Sequence, residues 1–214
     1  MMLRPTRAHR RTLALLTALA LSVTLTSCGD DDTSGGEDAS SVRTAPNGET
    51  FNDADVEFAT SMIPHHAQAI QMVTLTDSRT LDPEVKQLAD RIRDAQAPEV
   101  ETMVDWLTAW GEEIPETSND HVNGGHDMGD MPEMDDEDMP GMMSADEMEA
   151  LMSSSDEEFQ DMFLEMMKEH HEGAIEMART EQAEGESSDA IGLAESIATT
   201  QQDEIDQIDQ LLGS

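Results

Sequence analysis

Apolar residues recur at helical spacing in two parts of the chain, residues 51–111 and 154–214. In the first part, Phe58, Met62 and His65 fall on one narrow face of a helical wheel. Residues that cap or break helices divide each part into two segments. Each part is therefore predicted to form a helical hairpin, and two hairpins predict an all-α fold, an antiparallel four-helix bundle.

Capping residues place the ends of these helices. Asn52 can cap the first helix, Asp82 with Pro83 can begin the second, and Gly111 can end it. The second part carries comparable signals: a capping box of Ser154 with Glu157, a break at Gly185 and a cap at Ser187. Pro98 lies inside the second helix and is expected to kink it.

The two hairpins are copies of one unit. Phe, Met, His, His, Ala, Ile and Met recur at a fixed offset of 105 when residues 58–72 are compared with residues 163–177. The match continues downstream without a gap, over about fifty residues in all. Chance does not produce such a match, so an internal duplication is indicated. Pro98 has Asp203 as its counterpart, which predicts that the two copies are not equivalent.

Composition and charge exclude several classes of protein. The 214 residues include 48 Asp+Glu against 11 Lys+Arg, a net charge of −37, so no binding to nucleic acid is expected. The single cysteine excludes an internal disulfide framework and a cysteine-based zinc site. Nothing resembles a nucleophile–base triad or a phosphate-binding loop, so no enzymatic activity is expected.

The N-terminal part predicts export and anchoring. Residues 1–27 have the basic start and short apolar core of a secretory signal, too short to span a membrane. The signal ends in Leu25-Thr26-Ser27-Cys28, a lipobox pattern that predicts lipidation of Cys28. Residues 28–50 are acidic and almost lack large apolar side chains, which favours a flexible tether. We therefore expect a lipid anchor on the outer face of a bacterial cell membrane; the alternative is an ordinary signal peptide with a chance cysteine.

The linker between the hairpins, residues 112–153, is rich in Asp, Gly and Met. It is expected to be irregular apart from a short helix capped by Ser144 and Glu147. Methionine and histidine in a flexible acidic segment suit weak copper binding, although an unstructured connector explains the same composition. The candidate ligands are His121, His126, Met128, Met131, Met134, Met139, Met142 and Met143.

Each hairpin carries a stronger candidate metal site. A histidine pair with flanking methionines lies on its first helix: Met62, His65, His66 and Met72, repeated as Met167, His170, His171 and Met177. The facing helix places an amide and a carboxylate nearby as possible supporting groups: Gln96 and Glu99, repeated as Gln201 and Glu204. Thioether suits Cu(I), and imidazole with carboxylate suits Cu(II) or zinc. The alternative is that the methionines fill a core and the histidines hydrogen-bond to the glutamates.

These motifs resemble those of a known family. Residues 62–72 and 166–177, the segment Pro140-Gly141-Met142-Met143-Ser144 and the pair Gln96-x-x-Glu99 are similar to signatures of the bacterial domain-of-unknown-function family 305. The resemblance covers roughly residues 51–212. It implies an exported, ferritin-like helical bundle. Some family members are implicated in copper binding and copper resistance, so the resemblance also implies a copper role for the histidine pairs and their methionines.

The leading interpretation is a non-enzymatic copper-binding lipoprotein that sequesters copper or hands it to a copper-handling partner protein, with a homo-oligomer also compatible. A structural or partner-binding helical module without metal is one alternative. A ferritin-like di-iron enzyme is another, but that class needs Glu three residues before His on two helices. The residues at those positions are Met62, Ile63, Met167 and Lys168. The di-iron alternative is therefore disfavoured.

Overall fold

The computed structural model describes residues 41–117 and 139–213. They lie in one compact unit, Asp38–Ser214, and are mostly helical, which confirms the all-α class. The helices are α1 (Asp53–Leu75), α2 (Pro83–Trp110), α3 (Ala145–Ser153), α4 (Asp156–Glu184) and α5 (Ser188–Leu212). Two short strands, β1 (Arg43–Thr44) and β2 (Thr50–Phe51), precede α1, and a 3₁₀ turn, Thr76–Ser78, follows it.

Most helix ends coincide with the predicted capping residues. Asn52 forms a capping box with Asp55 at the start of α1, and Asp82 accepts a hydrogen bond from the Glu84 N–H at the start of α2. Gly111 ends α2 with a φ of 78°, a left-handed conformation that glycine adopts without steric cost. These local hydrogen bonds satisfy backbone groups that a helix end leaves without partners.

The predicted capping box of α4 is wrong by one residue. Ser155 and Glu158 form it, not Ser154 and Glu157. The reason is that Ser154 closes α3, where its backbone N–H bonds to the Ala150 carbonyl. The two helices therefore follow each other with a single cap residue on each side of the junction.

The long helices pack in consecutive pairs. α1 packs along α2, α4 packs along α5, and α1 also contacts α4. The short α3 lies on α4 and is held by Arg79, whose guanidinium donates to the carbonyls of Met152 and Ser154. The same guanidinium lies 4.5 Å from the Phe159 ring centroid, which ties the connection after α1 to the start of α4.

The buried apolar residues form two clusters. The Phe58 cluster includes Phe58, Met62, Met103, Leu107, Ala174 and Ile197. The Phe163 cluster includes Met72, Leu88, Ile92, Phe163, Met167 and Ile208. Each long helix contributes to both clusters, one with its N-terminal half and the other with its C-terminal half. Every long helix therefore passes from one cluster to the other near its middle.

Residues 43–51 are more ordered than the predicted flexible tether, which was expected to reach residue 50. Arg43 pairs with Phe51 in the antiparallel ladder of β1 and β2. The Phe51 ring stacks on Trp110 with centroids 4.8 Å apart, and the Arg43 guanidinium lies over the Phe51 ring, 4.5 Å from its centroid. Aromatic burial offsets the entropy of ordering this short segment.

Two prolines lie inside helices of the described ranges. α1 contains Pro64 and α2 contains Pro98, and both helices are continuous across them. Pro98 therefore does not end α2, and the kink expected at this residue stays a prediction. Within the described ranges, no helix combines the length and apolar character needed to cross a bilayer. Residues 1–40, with the predicted signal and Cys28, lie outside the described residues.

Candidate metal centre

Eight polar side chains separate the two apolar clusters, and we call them the polar layer. Each long helix contributes two, at the point where it leaves one cluster and enters the other. They are His65 and His66 from α1, Gln96 and Glu99 from α2, His170 and His171 from α4, and Gln201 and Glu204 from α5. All are buried except Glu99, which is partly exposed. Burial of so many polar groups is costly unless they find partners.

Two histidines of the polar layer bind a glutamate on the next helix. His66 Nε2 donates to Glu99 Oε2 at 2.8 Å, and His171 Nε2 donates to Glu204 Oε2 at 2.7 Å. The two contacts are equivalent under the 105-residue offset of the sequence repeat. These contacts explain why α2 and α5, which carry Glu99 and Glu204, each have a carboxylate on an otherwise apolar face.

The other two histidines meet each other. The ring centroids of His65 and His170 are 3.7 Å apart, with an angle of 38° between the ring planes. The sequence predicts one histidine site in each hairpin, whereas the structure brings both pairs into a single layer. Packing of α1 against α4 is the physical reason, because it places the middles of these two helices side by side.

Burial controls the charge of the central histidines. Desolvation, followed by the nearby His66, lowers the pKa of His65 to about 3, and a hydrogen bond to the Pro140 carbonyl opposes this shift. Desolvation, followed by the nearby His65, lowers the pKa of His170 well below its ordinary value. Both rings are therefore neutral at pH 7. A neutral imidazole keeps a nitrogen lone pair, which is the form that binds metal.

Polar atoms without partners are concentrated in this layer. Thirteen buried side-chain nitrogen and oxygen atoms lack a hydrogen-bond partner in the described part of the chain, and nine of them belong to the polar layer. The nine are Nδ1 of His65, His66 and His171, both ring nitrogens of His170, and both amide atoms of Gln96 and of Gln201. Groups of this kind call for a ligand or bound water, because unmet hydrogen bonds in a core are destabilising.

Two predicted methionines border the polar layer from opposite sides. Met62 lies in the Phe58 cluster and Met167 in the Phe163 cluster, each about one helical turn before a histidine pair. Both are fully buried. Met72 is buried too, whereas its counterpart Met177 is only partly buried beside the Phe58 cluster. Among residues 41–117 and 139–213, no three His, Cys, Asp or Glu side chains are arranged to hold one metal ion.

Comparison of the sequence with protein families decides the family. The family model described as "Domain of unknown function (DUF305)" matches residues 55–212, a range that includes the whole polar layer. The chain belongs to the DUF305 family. The resemblance predicted from the histidine motifs is thereby confirmed. Comparison with curated proteins gives no match.

Solved structures of other DUF305 proteins share the fold. A DUF305 protein from Streptomyces coelicolor, assigned as secreted, is 31% identical with a TM-score of 0.62, over 75% of this chain and 92% of that one. A DUF305 fragment from Deinococcus radiodurans is 27% identical with a TM-score of 0.63, over 80% of this chain and 99% of that one.

A third similar structure, CopM, contains metal. CopM in its Cu(II)-bound form is 26% identical to this DUF305 chain, with a TM-score of 0.58, over 74% of this chain and 95% of that one. Structures of CopM with Cu(I) bound, with silver bound and in the apo form are also similar to it.

The predicted ligands of the linker are only partly described. His121, His126, Met128, Met131 and Met134 lie outside the described residues. Met143 is buried in the Phe163 cluster, and Met139 and Met142 are partly buried. The end of the linker is therefore packed against the helices.

Sequence reasoning missed three groups at this centre. The Pro140 carbonyl accepts a hydrogen bond from His65 Nε2 at 3.0 Å. Gln68 binds the backbone of Met143, and Gly173 lies directly against Pro140. The one available signal was that Gln68 and Gly173 occupy equivalent positions in the repeat but differ greatly in size.

Proposed function

We propose that this protein binds copper at the polar layer and, outside the cytoplasm, sequesters the metal or hands it on, in the service of copper tolerance. In this proposal the four long helices form an antiparallel, ferritin-like four-helix bundle of two repeated hairpins. The two histidine pairs meet at its centre. Copper is cargo, and no catalytic step is assigned to the protein.

The unpartnered nitrogens of the polar layer carry the proposal. Four histidines each have a buried Nδ1 without a hydrogen-bond partner among the described residues. Two of these rings, His65 and His170, are held neutral by burial. Neutral imidazoles in a buried cluster are good donors for a transition metal, and a bound ion would offset the cost of leaving these atoms without partners.

The neighbouring methionines favour copper over zinc. The described His and carboxylate groups do not form a three-ligand metal arrangement by themselves. A site in the polar layer would therefore combine histidine nitrogens with the sulfur of Met62 or Met167. Thioether ligands select Cu(I), whereas structural zinc sites use Cys, His and carboxylate.

The comparison with CopM supports the same metal. CopM forms with Cu(I), Cu(II) and silver bound are at least 25% identical to this chain and cover nearly three quarters of it. Silver and Cu(I) are both soft monovalent cations that prefer sulfur ligands. Binding of these ions to a related fold is what a site built from histidine and methionine would produce.

Export and lipid anchoring belong to the same proposal. The lipobox pattern at Cys28 and the secreted assignment of the Streptomyces coelicolor relative support an extracytoplasmic location. Cys28→Ser should release the protein from the membrane fraction or block its maturation. Unchanged membrane retention of this variant would remove the lipid anchor from the proposal and leave the copper site untouched.

Metal competition tests the proposed function. The protein, purified without chelator, is titrated with Cu(I) under anaerobic conditions against a chromogenic Cu(I) chelator, and separately with Cu(II) and zinc. We expect tight copper binding and weaker zinc binding. Replacement of all four histidines of the polar layer by alanine should abolish the tight site.

The matched control replaces two histidines of the linker, His121→Ala with His126→Ala. This variant loses histidines but keeps the polar layer, so its tight copper site should persist. Circular dichroism checks that all variants fold. If the folded fourfold variant binds copper as tightly as wild type, the polar layer does not hold the metal.

A structural module without metal is the second candidate. The satisfied pairs His66–Glu99 and His171–Glu204 favour it, because such pairs stabilise a core without any ion. This candidate predicts no tight copper binding by wild type. It also predicts that loss of His171 lowers stability by about 3–5 kcal/mol, because the buried Glu204 loses its partner, and that loss of His66 costs less, because Glu99 is partly exposed.

A further inference from the structure

The segment Met139–Ser144 crosses the polar layer just before α3, and we call it the strap. Its Pro140 carbonyl accepts a hydrogen bond from His65 Nε2 at 3.0 Å. The strap is part of the linker, residues 112–153, and lies outside both copies of the repeat. One central histidine is therefore bound by a segment that has no counterpart among the repeated helices.

Gln68 on α1 forms two hydrogen bonds with the strap. Its side-chain amide donates to the Met143 carbonyl at 2.7 Å and accepts from the Met143 N–H at 2.8 Å. This double contact has the pattern of a strand pairing, and both partners are buried. Two hydrogen bonds in a buried setting fix the strap relative to α1, and so fix the Pro140 carbonyl relative to His65.

Two glycines allow the close approach. A Cβ on Gly173 would collide with the Pro140 carbonyl, and a Cβ on Gly141 would lie 2.5 Å from the Glu169 carbonyl. Gly141 also has a φ of 75°, a conformation that favours glycine. Gly173 is the repeat counterpart of Gln68. At this repeat position, therefore, Gln68 of the first copy hydrogen-bonds to the strap, and Gly173 of the second copy leaves space for it.

Hydrogen-bond chemistry then determines which ring nitrogen is free. The Nε2 atoms of His65, His66 and His171 face oxygen acceptors on Pro140, Glu99 and Glu204. An oxygen acceptor requires a proton on the nitrogen that faces it, and the second nitrogen of a neutral ring then carries the lone pair. When one ring nitrogen donates a hydrogen bond, the other ring nitrogen is therefore the one that can bind a metal.

We infer that the Pro140 carbonyl, Glu99 and Glu204 are positioning groups that hold the proton on Nε2 of three histidines and so leave Nδ1 of each ring as the atom available to copper. Gln68 and Gly173 act through the strap to keep the carbonyl in place. The ligand role rests on the proposed function, whereas the position of the protons does not. Among the described residues His170 makes no well-formed hydrogen bond, only a weaker contact with the His65 backbone, so this inference does not fix its proton.

Long-range proton–nitrogen correlation spectra of histidine-labelled apo protein test the proton positions. Three rings should show the pattern of a proton on Nε2, assigned by single His→Gln variants. Gly173→Ala should displace the strap and change the pattern of His65 alone. Gly192→Ala is the matched control, because a Cβ there meets nothing within 4 Å and the residue also lies in a helix.

The same variants are titrated with Cu(I). Gly173→Ala should weaken binding by about 10–100-fold, the usual effect of losing a group that orients a ligand, and Gly192→Ala should leave it unchanged. If Gly173→Ala does not fold, Gln68→Leu releases the strap without a steric clash and should give the same two changes.

The outcomes separate this inference from the proposed function. A proton on Nδ1 of His65, His66 or His171 in the apo protein overturns the inference, whatever copper does. An unchanged His65 pattern in both strap variants overturns the role of Gln68 and Gly173. The expected proton pattern in a wild-type protein that does not bind copper supports the positioning contacts and overturns the proposed function.

Discussion

His65 and His170 occupy equivalent positions in the two repeats, but only His65 is held from outside the repeat. Its Nε2 donates to the Pro140 carbonyl, whereas neither ring nitrogen of His170 makes a well-formed hydrogen bond in the described residues, and its one backbone contact is a weaker one with His65. The outer histidines do not show this difference, because His66 and His171 each bind a glutamate at nearly the same distance. The same residue types recur at the 105-residue offset, and one segment outside this match makes their surroundings unequal.

A second pair of contacts, at the ends of the helices, also occupies equivalent positions in the two halves but has different chemistry in each. Asp55 accepts a hydrogen bond from the Ser187 N–H at 2.9 Å, and its repeat counterpart Gln160 accepts one from the Asp82 N–H at 2.8 Å. The geometry is common to both halves, but one acceptor is a carboxyl group and the other is an amide. Buried Glu181 lies beside the carboxyl group of Asp55, and its counterpart Thr76 cannot titrate in this way. The halves thus share a fold and differ in electrostatics.

The largest expected effect distinguishes one shared copper site from two separate ones. His65→Ala with His66→Ala and His170→Ala with His171→Ala should each remove all tight copper binding, because both pairs lie in one layer. We expect a loss of more than about 100-fold in each case, beyond the effect of an orienting group. Stoichiometric titration checks it. A variant that keeps half of the copper with unchanged affinity would show two independent sites.

A smaller effect compares the two glutamates. Glu99→Gln and Glu204→Gln keep the shape but remove the charge that fixes the histidine, so each should weaken copper binding by about 10–100-fold. Glu204 should show the larger change, because its side chain is 9% exposed and that of Glu99 is 15% exposed. Competition titration of both variants measures the difference. Equal effects would mean that the two sides of the polar layer are electrostatically alike.

A pH profile should reveal the electrostatic difference between the halves. Burial, followed by contacts with Asp55, raises the pKa of Glu181 from 4.5 to about 8. The folded state therefore keeps a proton that the unfolded chain releases, and the free energy of unfolding falls as pH rises between these two values. We expect the Tm to fall by roughly 5 °C across this range through this group.

Glu181→Gln should flatten that part of the profile, whereas Glu195→Gln, at an exposed position of α5, should not. Both profiles are measured at constant ionic strength, so that screening of the acidic surface does not change. The same slope in Glu181→Gln as in wild type would show that Glu181 is ionised in the folded protein at all these pH values.

The smallest expected effect concerns Pro98 and its counterpart Asp203. Pro98→Asp restores a backbone N–H donor inside α2, and this added hydrogen bond should stabilise the helix. The unfolded chain also becomes more flexible without the proline, which opposes the gain, so we expect the Tm to rise by only about 2–4 °C. Copper affinity should not change. The reverse exchange, Asp203→Pro, should lower the Tm. A weaker copper site in Pro98→Asp would instead show that the proline shapes the polar layer.

Local patterns allowed much of the fold to be predicted. Cap residues such as Asn52 and Asp82 act within one turn of their own helix, so the sequence nearby contains the whole interaction. The contact of His66 with Glu99 also follows from local rules, because a short connection fixes how two consecutive helices align. Helix class, most ends and the His–Glu pairing were therefore accessible from the sequence.

The remaining features depend on contacts between distant segments. The meeting of His65 with His170 requires the packing of α1 on α4, which no spacing within one hairpin contains. The contact of His65 with the strap uses the backbone carbonyl of Pro140, a group that every residue has, so the sequence does not reveal it. Order in residues 43–51 depends on stacking against Trp110, about sixty positions away.

The polar layer also fixes the alignment of the helices. If α1 slid along α2 by one turn, about 5.4 Å, His66 would leave Glu99 and enter an apolar cluster. The same slip in the other pair would separate His171 from Glu204. A buried charge without its partner costs about 3–5 kcal/mol, comparable to much of a domain's stability. Apolar side chains alone tolerate such slips, so these polar contacts select a single register before any metal arrives.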